Sequence, residues 1–437
     1  MKKVILLFLI LYCQDALAFE KIDSLKKKTF VWSVQSMTFG RSTGFANAKG
    51  SINPDNRIAK LNNYDGGIYI RPELKLKLNK FDFWVKPRIH VDFPQNPYPR
   101  GQNVWNFEGY STEFFFQELK SRWQINNKFF VQGGRYYKQI GTSIFINPSN
   151  PFIVNTSRLN PKIELFPMDF LEANFSSNSS WNYTLIANLG AGQTPVFREP
   201  FLTFKRNYGF LMEHYGDAHN GGIIVSADEG SRFRLGAYAQ KNLNEAIVLW
   251  TDFSVDYRAN RFYPALGSST GLLNYEMVNG SENDKMFLSG LVGASYTFLW
   301  GSTLQLEYFY NGKGYNQEQF ERFSDQINTA QNYNFDVTRQ LADLNLGRSI
   351  NSGMPLNRQH YLFTQLGQND LFDKLNINVR NLYSIDDSVN QLSTLIEYNA
   401  TDTIEIYGLA LKSTMPQSIN PTQLVNYQIM IGLISKF

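Results

Sequence analysis

Apolar and polar residues alternate along most of this chain with a period of two. The final stretch, 425–437, puts Tyr427, Ile429, Ile431, Leu433 and Phe437 on one parity and Asn426, Gln428, Gly432 and Lys436 on the other. Neighbouring side chains of a strand point to opposite faces, so this segment is greasy on one side and mostly polar or small on the other. In 79–93 the pattern also assigns the faces. Phe81, Phe83, Val85, Pro87, Ile89, Val91 and Phe93 share one face; Lys80, Asp82, Trp84, Lys86, Arg88, His90 and Asp92 share the other. A charge facing acyl chains at mid-depth costs about 2–4 kcal/mol, so the apolar set faces lipid and the charged set faces a lumen.

The same alternation, followed through the chain, predicts an all-β fold: a transmembrane antiparallel up-and-down β-barrel of about 18 strands, with 16 left open. Connections alternate in length. Long ones at 40–65, 93–109, 139–161, 258–284, 311–356 and 412–424 are separated by tight turns such as Asn79-Lys80, Asn126-Asn127, 176–179, Gly301 and 399–401. Long loops outside and short periplasmic turns are the signature of such barrels, and an even strand count leaves both termini on the periplasmic side. The strand after the long connection 139–161 is read as 162–175. No internal repeat or separate soluble domain is evident, so 19–437 is read as one barrel domain.

The start of the chain reads as a secretory signal peptide, 1–18: Met1-Lys2-Lys3 is basic, 4–12 is apolar, and Ala16-Leu17-Ala18 is a small-x-small cleavage site. Cys13 is the single cysteine and falls within that signal. Disulfides, thiolate catalysis and cysteine metal sites are therefore excluded from the mature chain. Composition then narrows the class. Mean hydropathy is −0.32, yet aromatics reach 15%, with 35 Phe and 24 Tyr. Export, overall polarity and many aromatics describe a barrel with aromatic girdles and a wet interior; the alternative is a large secreted soluble β protein. A formal net charge of +4 is too small to imply a nucleic-acid partner.

Ending on Phe437 after such a run resembles the C-terminal strand of Gram-negative outer-membrane β-barrels, whose last residue is commonly Phe and forms part of the assembly signal. Ser435 departs from that pattern, where the family usually keeps an apolar residue. The resemblance implies insertion in the outer membrane among lipid and lipopolysaccharide, with the barrel-assembly machinery as a partner of the last strand. The stretch G-R-Y-Y-K-Q-I-G…N-P-S-N-P-F, 134–152, is similar to a pattern of alginate-export-type and related specific outer-membrane channels.

Parity assigns candidate lumen residues. Lys75, Lys77, Lys86 and Arg88 form a basic wall, roughly across the ring from acidic Asp252 and Asp256, with Glu307 also inside. Opposed rows would set a transverse field that favours polar, dipolar solutes; the competing reading is local pairing, for which Arg232 and Arg234 are at hand. The loop 139–161 carries two Asn-Pro steps, Asn147-Pro148 and Asn150-Pro151, followed by Phe152, and enough apolar surface to fold back and pack. It is expected to dip into the lumen as a constriction, with Arg135 and Arg158 nearby.

Chemistry on a substrate finds no support. Gly267-Ser268-Ser269-Thr270-Gly271 fits G-x-S-x-G only formally, because it lies in a turn-rich outside loop rather than between a strand and a helix. His90, His214, His219 and His360 are scattered, and no catalytic residue, metal site or cofactor is expected. The reading is a monomeric or trimeric channel passing small polar or anionic solutes. The alternatives are a surface-interaction barrel acting through its outside loops, and an exopolysaccharide export channel.

Overall fold

The structure is a computed structural model describing residues 28–46, 52–95, 111–152, 159–177, 180–192, 204–259, 263–264, 275–276, 284–331, 336–351, 356–414 and 424–437. The signal peptide, Arg158 and the Gly267–Gly271 stretch lie outside these residues.

Eighteen antiparallel strands form one sheet closed on itself. In chain order they are β1 (Lys28–Phe45), β2 (Tyr64–Leu78), β3 (Phe81–Gln95), β4 (Ser111–Gln124), β5 (Phe129–Tyr136) and β6 (Met168–Ser176). Then come β7 (Trp181–Gly190), β8 (Asn207–Tyr215), β9 (His219–Asp228), β10 (Phe233–Asn242), β11 (Ile247–Tyr257) and β12 (Met286–Thr297). The last six are β13 (Thr303–Asn311), β14 (His360–Leu371), β15 (Leu375–Ser384), β16 (Val389–Asn399), β17 (Ile404–Thr414) and β18 (Val425–Lys436). Each strand pairs with its sequence neighbours, and β18 closes the ring on β1 with Gly40 opposite Ile431. The terminal Phe437 completes the seam: its N–H donates to the Val34 carbonyl at 2.9 Å, and the Val34 N–H returns the bond at 3.0 Å. Closure removes the unpaired edge that an open sheet would present to lipid.

The faces follow the period-two pattern. On β18, Tyr427, Ile429, Ile431, Leu433 and Phe437 all lie exposed on the outer surface, Ile431 at 64%. Phe81, Phe83 and Phe93 do the same on β3. Such a belt of bare apolar side chains marks a surface that a membrane or a partner covers. The inner face is drier than expected, however. Met430 and Ile434, on the inward parity of β18, are buried with Met37, Phe39, Tyr407 and Leu409.

Strand lengths differ around the ring. Strands β5 to β11 hold 8 to 11 residues, about the number that crosses a bilayer at a tilt. Strands β1 to β4 hold 14 to 18 residues, and residues 111–118 of β4 run past its pairing with β5 at the end carrying the long loops.

Two corrections concern those loops. The segment read as loop 311–356 carries two helices, α1 (Gln317–Gln331) and α2 (Asp336–Asn351). The α1 start is a reciprocal cap: Asn316 Oδ1 accepts from the Gln319 N–H at 2.8 Å, and Gln319 Oε1 accepts from the Asn316 N–H at 3.1 Å. Phe323 and Ile327 of α1 meet Ala342 and Leu346 of α2 in a core completed by Ile52, Tyr263, Phe287 and Tyr315. Arg57, from the first long loop, holds Asp343 of α2 at 2.9 Å. These loops form a cap at the outer end. Second, the strand read as 162–175 begins only at Met168, because residues 159–167 before it are held inside the barrel.

Candidate functional site

The inward connection between β5 and β6 is described over 137–152 and 159–167, reaching beyond the expected 139–161, and these two legs lie in the lumen. The outgoing leg reaches the β10–β13 wall. Ser149 donates its N–H and its hydroxyl to the two oxygens of Asp252, at 2.6 and 3.0 Å. Glu307 accepts from the Ile144 N–H (2.9 Å), the Phe145 N–H (3.0 Å), the Ser143 hydroxyl (2.9 Å) and Trp250 Nε1 (2.8 Å). Arg234 donates to the Asn150 carbonyl at 2.7 Å. A buried carboxylate is stable only when donors replace its lost water, and here the loop supplies them.

Local sequence makes this approach possible. Gly236 on β10 lies so close to the loop that a Cβ there would sit 2.6 Å from the Ser149 carbonyl oxygen. Gly141, at φ +100°, would place a Cβ 2.2 Å from Asp252 Oδ2. Asn147 shapes the turn by accepting from the Ser143 N–H at 2.8 Å, and Asn150 accepts from the Phe152 N–H at 3.0 Å. Pro148 and Pro151 restrict the residues before them to extended or turn backbone. Phe152 packs with Phe170, Ile186, Leu211 and Ile224 on the inner wall, and Phe145 stacks on Phe363 with centroids 4.9 Å apart.

The returning leg is fixed by charge. Lys162 pairs with Glu397 and, at 2.5 Å, with Glu405. Glu164 binds Arg88 at 2.7 Å and lies 3.7 Å from Arg71. Burial pushes the Glu164 carboxyl up, but Arg88 and Arg71 outweigh it and hold it below the usual carboxylate range. Ser393 donates to the Leu159 carbonyl and Gln117 to the Leu165 carbonyl.

These contacts revise several expectations. Asp252 and Glu307 do point inward but are 0% exposed, covered by the loop that they hold. Asp256 is likewise buried, paired with Arg234 and with Lys313 at 3.0 Å. Arg88 is 2% exposed and committed to Glu164. A free acidic row facing a free basic row across open water is therefore absent from the described residues. Arg135 is corrected outright. Its strand neighbour Tyr136 is buried inward and Gln132 bonds the inward Glu172, so Arg135 has the outward parity, where it makes a two-pronged pair with Asp169 at 2.7 and 3.0 Å.

What remains open to the lumen is cationic on the β2–β4 side. Lys75 and Lys77 are exposed there. Lys86 bridges Glu118 and Glu73, and Lys120 lies 4.4 Å over the Trp84 ring. Sequence reading missed Lys162 and Glu164, which it placed at the edge of a strand. It also missed Lys120; its parity signal was present, but the one-residue bulge opposite Lys86 and Pro87 shifts the register of β4. Among the described residues no cluster of three or more His, Cys, Asp or Glu could hold a metal ion, and no helix is long and apolar enough to cross a membrane.

No family model matches the chain. A curated relative, the O-glycoside alpha-1,2-mannosyltransferase homolog 3 of Schizosaccharomyces pombe, is 25% identical over 161 residues, or 36% of this chain. The match spans 37% of that protein's length. Among solved structures, a doubly substituted OccD1 (OprD) aligns with a TM-score of 0.50 at 10% identity, over 94% of this chain and 96% of that one. A substituted porin of Rhodopseudomonas blastica aligns with a TM-score of 0.43 at 10% identity, over 94% and 100%. At such identity the OprD likeness is one of fold alone. An 18-stranded closed wall, aligned nearly end to end with an OprD barrel, gives this chain the antiparallel closed β-barrel fold seen in that porin-type structure.

Proposed function

We propose that the protein sits in the outer membrane and lets small polar, preferentially anionic solutes diffuse through a lumen narrowed by the loop 137–167. The observation that carries this reading is the double anchoring of that loop, to Asp252 and Glu307 on one wall and to Arg71, Arg88, Glu397 and Glu405 on the other. A segment tied to both sides of a barrel sets the width of whatever passage is left. Lys75, Lys77, Lys86 and Lys120 make the β2–β4 side of that passage positive, and a low-dielectric wall of one sign raises the local concentration of counter-ions. The lipid and lipopolysaccharide of the bilayer would cover the apolar belt, and the assembly machinery would engage the strand ending at Phe437.

Reconstitution of the mature chain in planar bilayers tests the reading. Stable ohmic steps with a reversal potential on the anion side in a salt gradient are expected. A silent or cation-selective bilayer sinks it. A second reading, surface interaction, is favoured by the helical cap, whose α2 exposes Val337 (71%) and Leu344 (50%); a silent bilayer together with cell binding by the isolated barrel would support that one.

A further inference from the structure

Between strands β1–β4 and the returning leg of the loop lies a cavity of about 300 Å³. One side is a row of four rings, one from each strand. Phe39 meets Tyr69 edge-on at 5.2 Å, Tyr69 stacks on His90 at 3.8 Å, and His90 meets Phe115 edge-on at 5.0 Å. The row is on the inward parity, so it does not belong to the lipid-facing belt. The opposite side is the loop itself, which presents Ile163, 56% exposed, and Phe166, 43% exposed. Both line the cavity. Bare apolar surface on the inside of a polar passage has no acyl chain to cover it, and a solute that covers it gains the transfer free energy.

The rim carries both signs of charge. Arg41, Arg71 and Lys162 line it together with Glu113 and Glu164. Arg41 is held by Asp65 at 2.7 Å, Tyr69 donates to Asp92 at 2.9 Å, and Arg71 lies 5.8 Å over the Tyr69 ring. Few polar groups of fixed position around apolar walls make a ligand pocket, and this volume is at the small end of such pockets.

Resting on the channel reading above, we propose that this cavity is a binding subsite for a small zwitterion bearing a flat ring, the chemistry of an aromatic α-amino acid. The ring lies between Phe166 with Ile163 and the aromatic row. The carboxylate faces Arg71 and the ammonium faces Glu113, while Lys162 and Glu164 stay with Glu397, Glu405 and Arg88. A simple anion would satisfy only half of that rim, and an aliphatic amino acid would leave the ring row uncovered.

Two measurements on the full mature chain test this. In planar bilayers, L-tryptophan added on the outer side should interrupt the current with dwell times about 10-fold longer than L-leucine, the ratio that roughly 1.4 kcal/mol of added ring contact gives. Phe166→Ala, on an exposed loop side chain, should bring tryptophan dwell times down to the leucine value measured in the same variant. Equal dwell times for the two amino acids, or tryptophan events unaltered by Phe166→Ala, overturn the subsite but leave the channel standing. Equilibrium dialysis of the detergent-solubilised chain with labelled tryptophan covers the case of a silent bilayer. Saturable binding lost in Phe166→Ala would then keep the subsite and remove the channel, and no binding would remove both.

Discussion

Ser149 and Asp252 are joined twice: the backbone N–H and the hydroxyl of the serine each reach one oxygen of the carboxylate, at 2.6 and 3.0 Å. They lie 103 residues apart in sequence. Along with the bonds to Glu307, this junction turns a long connection into a bar across the barrel. Glu307→Ala leaves two backbone N–H groups, a hydroxyl and an indole N–H with no acceptor in a buried place. The expected cost is about 3 kcal/mol of stability, read as a lower urea midpoint for the folded barrel. The Asp252→Ala, Glu307→Ala double variant should also show larger and noisier conductance steps, since the outgoing leg then keeps only its packing and the bond from Arg234 to the Asn150 carbonyl.

Steric room at the junction is equally constrained. A Cβ at Gly236 would meet the Ser149 backbone well inside contact distance. Gly236→Ala should therefore lift the loop off β10 and cost roughly 1–3 kcal/mol. Gly40, whose Cβ position has nothing within 4 Å, is the control: Gly40→Ala should be close to neutral in the same denaturation series.

The two faces of the wall can be told apart by charge removal. Lys75→Gln with Lys77→Gln takes two exposed cations from the lumen and should move the reversal potential toward zero. Arg135→Gln takes one from the outer face, where it is paired with Asp169, and should leave ion selectivity unchanged. A shift of equal size in both would contradict the outward placement of Arg135.

Lys313 follows β13 and sits against Asp256. Burial, and next the nearby Arg234, push its ammonium down to about 8 from an ordinary value of 10.5. Its folded pKa is lowered, so the folded state binds fewer protons than the unfolded one between about 8 and 10.5, and stability rises with pH across that window. Below it, the buried charge is a cost. Because Lys313 loses its charge around pH 8, anion preference should weaken between about pH 7 and 9, and Lys313→Met should abolish that pH dependence. Reversal potentials measured along a pH series check both.

The wall of this protein was legible from residue order. Period-two alternation is a local property, and the cost of placing charge in lipid leaves a strand such as β3 one way to face, so strand number, closure and the bare face of Phe81, Phe83, Ile429 and Ile431 could all be read before any fold was known. Even the inward loop announced itself, through its Asn-Pro steps and apolar residues. The loop's destination was not legible. Glu307 and Ile144 are 163 residues apart, and nothing local to either says that the carboxylate will be spent on the loop's amides rather than on lumen water. Arg135 failed for a related reason: a short strand entering a loop offers too few alternating positions to fix its parity, and only the inward packing of Tyr136 and the bond from Gln132 to Glu172 decide it. Alternation along one strand fixes which side a residue takes; what it meets there depends on segments that come together only when the ring has closed.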